Sequence, residues 1–222
     1  MIGYMLKKFI NNYVALKKSL QPNKYLFNKV FDKYQIIFIH VPKTGGLSVL
    51  ASLVGSNFKV GHKKATQFRD FDPVRFHQYF KFGFARNPLD RFFSAYCFLR
   101  KGGLGGKDAE FGQKYIQPYA NFQAFVKALD YPKQKEKILQ WRHFKPQYHF
   151  LCDKNEAVLV DYLGYYESLK KDYQNIAHRL SMGSPLRLVN SSDKPAYEQY
   201  YNENMKRVLK NIYYKDFEIF GY

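Results

Sequence analysis

Residues 36–50 read "IIFIHVPKTGGLSVL" and decide the fold. The apolar run inside Gln35–His40 has the composition of a short buried strand. A turn with Pro42, Gly45 and Gly46 follows it, and apolar residues then recur at helical spacing. The stretch therefore predicts a strand that passes through a glycine-containing turn into a helix.

A second stretch of the same design starts at Phe80. The segment "FKFGFA" reads as a strand, Arg86-Asn87-Pro88 as a turn, and Leu89–Leu99 as a helix with proline near its start. Two such units predict an α/β fold in one domain, with a central, mainly parallel sheet flanked by helices. Further predicted elements are a flexible glycine loop over Lys101–Asp108, a helix over Tyr119–Leu129, a third strand and helix start from Ala157, a fourth strand over Leu186–Asn190 and a closing helix over Tyr197–Tyr214.

The composition fits a globular protein with an anionic partner. The chain has 222 residues, of which 46% are hydrophobic and 19% aromatic, so one packed core is expected. Lys and Arg number 36 against 18 Asp and Glu, a formal charge of +18. Such a field attracts nucleic acid, an anionic membrane, an acidic polysaccharide or a phosphorylated cofactor, and charge alone does not choose among them.

The cysteines and the N-terminal segment carry weaker signals. Cys97 and Cys152 are too few for a disulfide scaffold and lack metal-ligand spacing, which favours buried thiols and leaves one bridge open. Residues 1–30 are predicted to be a basic amphipathic helical segment, either packed on its own domain or lying on an anionic membrane. Residues 31–222 are predicted to form the main domain. No apolar run reaches 18 residues, and we expect a soluble protein that is not secreted.

The turn at Lys43 has the features of a phosphate-binding loop. Glycines let the backbone approach an anion closely, and the N-terminus of the next helix offers N–H groups and a positive dipole end. In the Walker pattern the lysine follows the glycines, whereas here Lys43 precedes Gly45 and Gly46. Lys43 therefore lies on the strand side of the loop, where it can reach a bridging or leaving oxygen. The alternative is an ordinary βα turn with a surface lysine.

These residues carry a family resemblance. "HVPKTGGLS" (40–48) resembles the 5′-phosphosulfate loop of sulfotransferases that use 3′-phosphoadenosine 5′-phosphosulfate (PAPS), in particular the carbohydrate sulfotransferases. It departs at Leu47, where that family commonly has Thr. One possible hydroxyl contact to the donor is therefore missing, and a neighbouring backbone N–H must replace it. "FARNPLDRFFSAY" (84–96) is similar to the family's 3′-phosphate motif, whose Arg and Ser correspond to Arg86 and Ser94. The resemblance covers roughly residues 35–222 and implies a P-loop-like sulfotransferase fold.

The resemblance also implies substrates and binding residues. PAPS would be the donor, adenosine 3′,5′-bisphosphate the product, and a hydroxyl of an oligo- or polysaccharide the acceptor, an anionic glycan being consistent with the basic charge. Ser191 and Lys194 lie where the family has a loop closing over the nucleotide, although a solvated loop is an equally good interpretation. The implied donor-binding residues are Lys43, Thr44, Gly45, Gly46, Leu47, Ser48, Arg86, Ser94, Ser191 and Lys194.

Two residues are predicted to act in catalysis. Lys43 would stabilise the leaving phosphate oxygen. His62, in "VGHKKATQF", resembles the family histidine that faces the sulfuryl group, and its ordinary pKa near 6.5 suits a general base. A structural role for His62 stays open, with His143, His149 or a carboxylate as the alternative base. His40, at a strand end, is expected to pack.

Arg91 and Trp141 are expected to have structural roles. Arg91 is assigned a structural role, paired with Asp90 or another acid, and Trp141 is assigned to the core rather than to sugar stacking. The rival functions are a basic nucleic-acid-binding protein, which leaves the Lys43 loop unexplained, and a P-loop nucleotide kinase, which needs magnesium and a lysine after the glycines. No metal and no specific nucleic acid are expected. We expect a cytoplasmic enzyme, with any contact to the inner membrane made peripherally through residues 1–30.

Overall fold

A three-stranded parallel sheet lies at the centre of the computed structural model, which describes residues 26–55, 60–187 and 196–222. The strands are β1 (Ile36–Ile39), β2 (Phe80–Ala85) and β3 (Tyr162–Tyr165), in the order β1-β2-β3. Ile36 pairs with Phe80, and Phe82 pairs with Tyr162, both in parallel register. The predicted α/β fold with a parallel central sheet is confirmed.

Helices follow and surround the strands. Short 3₁₀ turns occupy Ala128–Asp130, Tyr166–Ser168 and Tyr197–Tyr200. In the described part of the chain, no helix has both the length and the apolar character that crossing a membrane would require. The α-helices of the described ranges are α1 (Lys29–Tyr34), α2 (Gly46–Val54), α3 (Ala65–Phe71), α4 (Pro73–Gln78), α5 (Pro88–Arg100), α6 (Lys107–Tyr115), α7 (Phe122–Lys127), α8 (Pro132–Gln140), α9 (Tyr148–Leu151), α10 (Leu169–Arg179), α11 (Glu203–Ile212) and α12 (Tyr214–Phe220).

Local sequence explains both predicted βα units. Every residue of β1 is buried, as expected for an apolar strand in a parallel sheet. Gly45, at φ 77°, caps α2, and its carbonyl accepts hydrogen bonds from the N–H groups of Ser48 and Val49. Asn87 caps α5 by accepting from the first N–H groups of the helix, and Pro88 fills the position where an N–H is not needed. Both turns therefore end their strands at the same edge of the sheet.

Two aromatic cores stabilise this arrangement. Around the sheet, Phe38 stacks on Phe82 at a centroid distance of 5.0 Å, and both side chains are buried. Beside it, α5 packs with α7 and α11, where the ring of Phe92 lies 4.9 Å from Phe144 and 5.8 Å from Phe125. The second core fixes the orientation of α5, which carries Phe98 next to Lys43.

Some predicted boundaries are wrong. The third strand begins at Tyr162 rather than in the run from Ala157, because Val158 makes a single antiparallel bridge with Cys152 instead of joining the sheet. Leu186 and Arg187 are not in a strand, and the rest of the predicted fourth strand lies outside the described residues. The predicted closing helix is divided into the 3₁₀ turn Tyr197–Tyr200, α11 and the start of α12, because Asn202 caps a new helix and a further break falls at Tyr213.

Other predictions have clear outcomes. Cys97 and Cys152 are both free thiols, although Cys97 is only half-buried. Trp141 stacks on Phe111 at 4.5 Å and packs against the second core, as expected. The predicted helical segment over residues 1–30 falls mostly outside the described ranges; its described part contains the start of α1.

Arg91 has the predicted structural role, and the acid that acts on its charge is Asp216 rather than Asp90. The side chain is fully buried and donates to the carbonyl oxygens of His143 and Lys145 at 3.1 and 2.7 Å. Asp90 instead pairs with Arg86. Arg91 therefore fastens α5 to the segment that carries His143.

Candidate functional site

The Lys43 turn is tight and strained. Lys43 has a φ of 71°, the left-handed region that residues other than glycine seldom adopt. Thr44 is buried, and its hydroxyl donates to the carbonyl of Val41 at 2.9 Å, which closes the turn on itself. Strain of this kind persists only where the surroundings fix it, and it is common at functional sites.

Both glycines of the turn are required by close packing. A Cβ atom on Gly45 would lie 2.7 Å from Cδ2 of Leu169, and one on Gly46 would lie 2.3 Å from Cδ2 of His40. The first backbone hydrogen bond of α2 runs from the N–H of Ser48 to the carbonyl of Gly45. The N–H groups of Gly46 and Leu47 lie before this bond, at the start of the helix. These groups sit at the positive end of the α2 dipole, where an anion is stabilised.

Arg86 joins the second turn to the first. Its Nη1 donates to the carbonyl of Lys43 at 2.9 Å, and its Nε and Nη2 bind both carboxylate oxygens of Asp90 at 2.7 and 2.8 Å. The guanidinium lies 3.8 Å above the ring of Tyr166. These contacts leave one N–H on each terminal nitrogen of Arg86 for a further acceptor. The two predicted anion-binding turns are therefore neighbours.

The sequence did not identify Asp90 and Gln147 as the partners of Arg86. Asp90 follows Arg86 by four residues, the spacing of a helical ion pair, so a signal for it exists. Gln147 is fully buried and clamps the backbone of Arg86, accepting from its N–H at 3.0 Å and donating to its carbonyl at 2.8 Å. The carboxylate of Asp216 in turn accepts from the N–H of Gln147. No sequence pattern identifies Gln147, because its partners lie far away along the chain.

His62 is anchored to the strand that enters the Lys43 turn. Its Nδ1 lies 2.9 Å from the carbonyl oxygen of His40. Because a carbonyl only accepts, we assign the hydrogen to Nδ1, which leaves the lone pair on Nε2. The His62 ring lies between those of His40, at 4.3 Å, and His143, at 6.0 Å. The geometry gives the tautomer that a general base needs.

Burial keeps these three imidazoles neutral. It lowers the pKa of His40 to about 3 and that of His143 to about 2, and in both cases the positive form of His62 adds a smaller effect. The pKa of His62 is also lowered, mainly by burial, with contributions from the charges of Arg142 and Lys43. His62 is therefore in its proton-accepting form at neutral pH.

Lys43 reaches the histidine cluster, which consists of His40, His62 and His143, across the ring of Phe98. Its Nζ lies 4.1 Å from the centre of the Phe98 ring, which lies 5.1 Å from the ring of His143. Ser94 is buried on α5, one turn after Asp90 and thus on the same helix face. Lys43, His62 and Arg86 are thus held around one stretch of backbone.

The remaining predicted residues separate into three groups. Leu47 is exposed and leaves its backbone N–H as the contact available at that position. His149 stacks on Tyr148 in α9, whereas the described contacts bring His143 to His62 and Phe98. Ser191 and Lys194 lie outside the described residues.

The arrangement fits a nucleotide with two separate phosphate groups. One cationic side chain, Lys43, and one helix N-terminus belong to the first turn, while the guanidinium of Arg86 belongs to the second. An imidazole with a free lone pair lies close by. Fold and site together define an α/β protein with two neighbouring basic turns beside a neutral imidazole.

The chain belongs to the sulfotransferase family, whose family model matches residues 28–222. It is 26% identical to carbohydrate sulfotransferase 14 of Mus musculus, over 87% of this chain and 59% of that protein. The human carbohydrate sulfotransferase 14 is 29% identical over 66% of this chain and 44% of its own length. Carbohydrate sulfotransferase 10 of Xenopus laevis is 24% identical over 90% of this chain and 69% of that protein.

The chain thus spans about half of the length of the carbohydrate sulfotransferase 14 relatives that it matches. No solved structure matches significantly. The predicted family is confirmed, and the chain has distant similarity to carbohydrate sulfotransferases.

Proposed function

We propose that the protein transfers a sulfuryl group from PAPS to a hydroxyl of a carbohydrate. The observation that carries the proposal is the hydrogen bond from Arg86 Nη1 to the carbonyl of Lys43, which makes neighbours of the two anion-binding turns. A nucleotide with phosphates at its 5′ and 3′ positions has the matching pair of anionic groups. Family membership and the carbohydrate sulfotransferase relatives support the donor and the acceptor class.

The donor would be held by groups from both turns. Lys43, the N–H groups of Gly46 and Leu47, and the side chain of Ser48 would bind the 5′ side, with Thr44 and Gly45 shaping the loop. Arg86 and Ser94 would bind the 3′-phosphate, and Ser191 and Lys194 are proposed as further contacts. When bound, PAPS supplies a sulfuryl group attached to a phosphate leaving group.

Catalysis would depend on positioning and on charge. The ammonium of Lys43 would neutralise negative charge that builds up on the leaving oxygen. His62 would accept the proton of the acceptor hydroxyl at Nε2, since its Nδ1 is engaged with the carbonyl of His40. Burial supports this role because it keeps the ring neutral before the reaction.

The acceptor is proposed to be an oligo- or polysaccharide, with anionic glycans preferred. The formal charge of +18 favours a negatively charged substrate and accelerates its encounter with the enzyme. We also propose that residues 31–222 form the catalytic domain. A cytoplasmic location and a peripheral membrane contact through residues 1–30 remain predictions from the sequence.

The proposal is tested in two assays with matched controls. Calorimetry measures the affinity for adenosine 3′,5′-bisphosphate, and a radiolabelled PAPS assay measures transfer to a panel of neutral and anionic glycans. We expect His62→Ala to lower kcat by about 10²- to 10⁴-fold with nucleotide affinity kept. Lys43→Ala should lower kcat by about 10²-fold or more.

The controls show whether losing any lysine or any histidine lowers activity, or only losing those of the proposed site. Lys63→Ala removes an exposed lysine next to His62, and His77→Ala removes an exposed histidine on α4; both should retain activity. A protein that binds DNA at physiological salt but does not bind adenosine 3′,5′-bisphosphate is a nucleic-acid binder, and the proposal is then rejected.

A further inference from the structure

Asp108 is a buried carboxylate beside the histidine cluster, and the predicted roles do not use it. Its side chain is 2% exposed, and Oδ1 accepts from Nη2 of Arg142 at 2.7 Å. The same oxygen lies 3.4 Å from Nε2 of His143. Burying a carboxylate costs free energy that a half-exposed partner such as Arg142 offsets only in part, so the burial of Asp108 requires an explanation.

The glycine-rich loop after α5 holds Asp108 in place. Gly103 has a φ of 60°, and a Cβ atom there would lie 2.4 Å from the Cβ of Asp108. The N–H of Gly103 bonds to the carbonyl of Phe98, and the N–H of Asp108 bonds to the carbonyl of Gly105. Phe98 is the residue whose ring lies under Lys43. The loop thus ties the carboxylate to the wall of the site.

His143 lies between the ion pair and His62. Nε2 of His143 lies 3.3 Å from Nε of Arg142 and 3.4 Å from Oδ1 of Asp108, so this one nitrogen faces both members of the ion pair. The His143 ring is 6.0 Å from that of His62. Because burial keeps His143 uncharged, it transmits no charge of its own to His62.

The charges around His62 have opposite effects. Lys43 and Arg142 oppose a proton on His62, whereas Asp108 favours one, and burial opposes it most. Among the described residues, besides Lys63 and Lys64 on its own segment, the titratable and charged groups facing His62 from other elements are His40, Lys43, Asp108, Arg142 and His143.

We propose that Asp108, paired with Arg142, is a positioning residue that sets how readily His62 takes a proton from the acceptor. The inference rests on the proposed role of His62 as general base. During transfer His62 becomes cationic near Lys43 and Arg142, and the Asp108 carboxylate offsets this concentration of positive charge. The nearly isosteric Asp108→Asn and the half-exposed Arg142→Gln alter the two charges separately.

The test is the pH dependence of kcat/KM together with an NMR titration of the His62 imidazole, whose signals are assigned by their loss in His62→Gln. Asp108→Asn should lower the pKa of His62, so both the acid limb and the NMR midpoint should move down by about 0.5–1 pH unit. Arg142→Gln should move both upward. Asp130→Asn, which removes an exposed carboxylate, is the control and should move neither.

Shifts in the same direction, or none, in the two variants overturn the inference. A structural role for Asp108 would lower stability without moving the midpoints, and Arg142→Gln gives an independent reading if Asp108→Asn folds poorly. If the wild-type protein transfers no sulfuryl group, the proposed function fails, whereas the NMR midpoints still decide the inference: opposite shifts support it and equal shifts reject it.

Discussion

Replacing Gly46 by alanine tests how tightly the anion loop is coupled to the histidine cluster. The added Cβ would lie 2.3 Å from Cδ2 and 2.5 Å from Nε2 of His40, whereas ordinary contacts are 3.4–4 Å. The His40 ring would have to retreat by about 1 Å. It cannot do so freely, because it is buried, stacks on Phe38 at 5.5 Å and lies 4.3 Å from the tilted ring of His62.

The expected cost follows from this overpacking. Gly46→Ala should lower the free energy of unfolding by about 1–3 kcal/mol, the usual range for an added methyl group in a packed core. Because the carbonyl of His40 anchors His62, the same variant should lower kcat more than the loss of stability explains. Urea unfolding measures the free energy, and the PAPS transfer assay measures kcat.

A nearby glycine provides the control. A Cβ atom on Gly61, next to His62, meets no atom of the described residues within 4 Å, so Gly61→Ala should change the free energy of unfolding by less than about 0.5 kcal/mol. Equal stability and equal kcat for the Gly46→Ala and wild-type proteins would show that the loop and the histidines are not coupled as described.

Three further perturbations follow from the site. Arg86→Lys keeps the positive charge but loses the planar set of N–H donors that can bind a phosphate through two hydrogen bonds. Calorimetry should therefore show adenosine 3′,5′-bisphosphate binding weakened by about 10- to 100-fold, and an unchanged affinity refutes the role of Arg86. Because the pKa values of buried His40 and His143 are lowered, their contribution to stability is complete above pH 6.5 and is lost as the pH falls toward 3. Urea unfolding at pH 5.5 should therefore give a free energy about 2–3 kcal/mol below that at pH 7.5, and a flat profile contradicts the burial of neutral imidazoles. Thr44→Val should cost about 1 kcal/mol in the same assay, because the bond to the Val41 carbonyl is lost; equal stability rejects that bond.

The fold was largely predictable because its signals are local. The apolar strand, the glycines and the proline after Asn87 lie within a few residues of one another, and β1, β2 and α5 were found close to their true limits. The strand beginning at Tyr162 was misplaced because the preceding residues are just as apolar. Its limits depend on pairing with β2 and on a separate bridge between Cys152 and Val158.

The site was less predictable, because most of its contacts connect distant parts of the chain. The sequence identified Lys43, His62 and Arg86 as candidates, and the structure holds them close to one another. It gave no sign that Gln147 clamps the backbone of Arg86 or that Asp108 meets Arg142. Such pairs form only when segments separated by tens of residues fold together.

The end of β1 explains why the strained turn is retained. Within four residues, the carbonyl of His40 anchors the proposed base, and the carbonyl of Lys43 accepts from the arginine proposed to bind the 3′-phosphate. The positive φ of Lys43 sets the direction of the second carbonyl, because backbone torsions at this residue orient the next peptide. A relaxed turn would therefore displace Arg86 and the Lys43 side chain together, and substitutions that release the strain should impair nucleotide binding and catalysis at once.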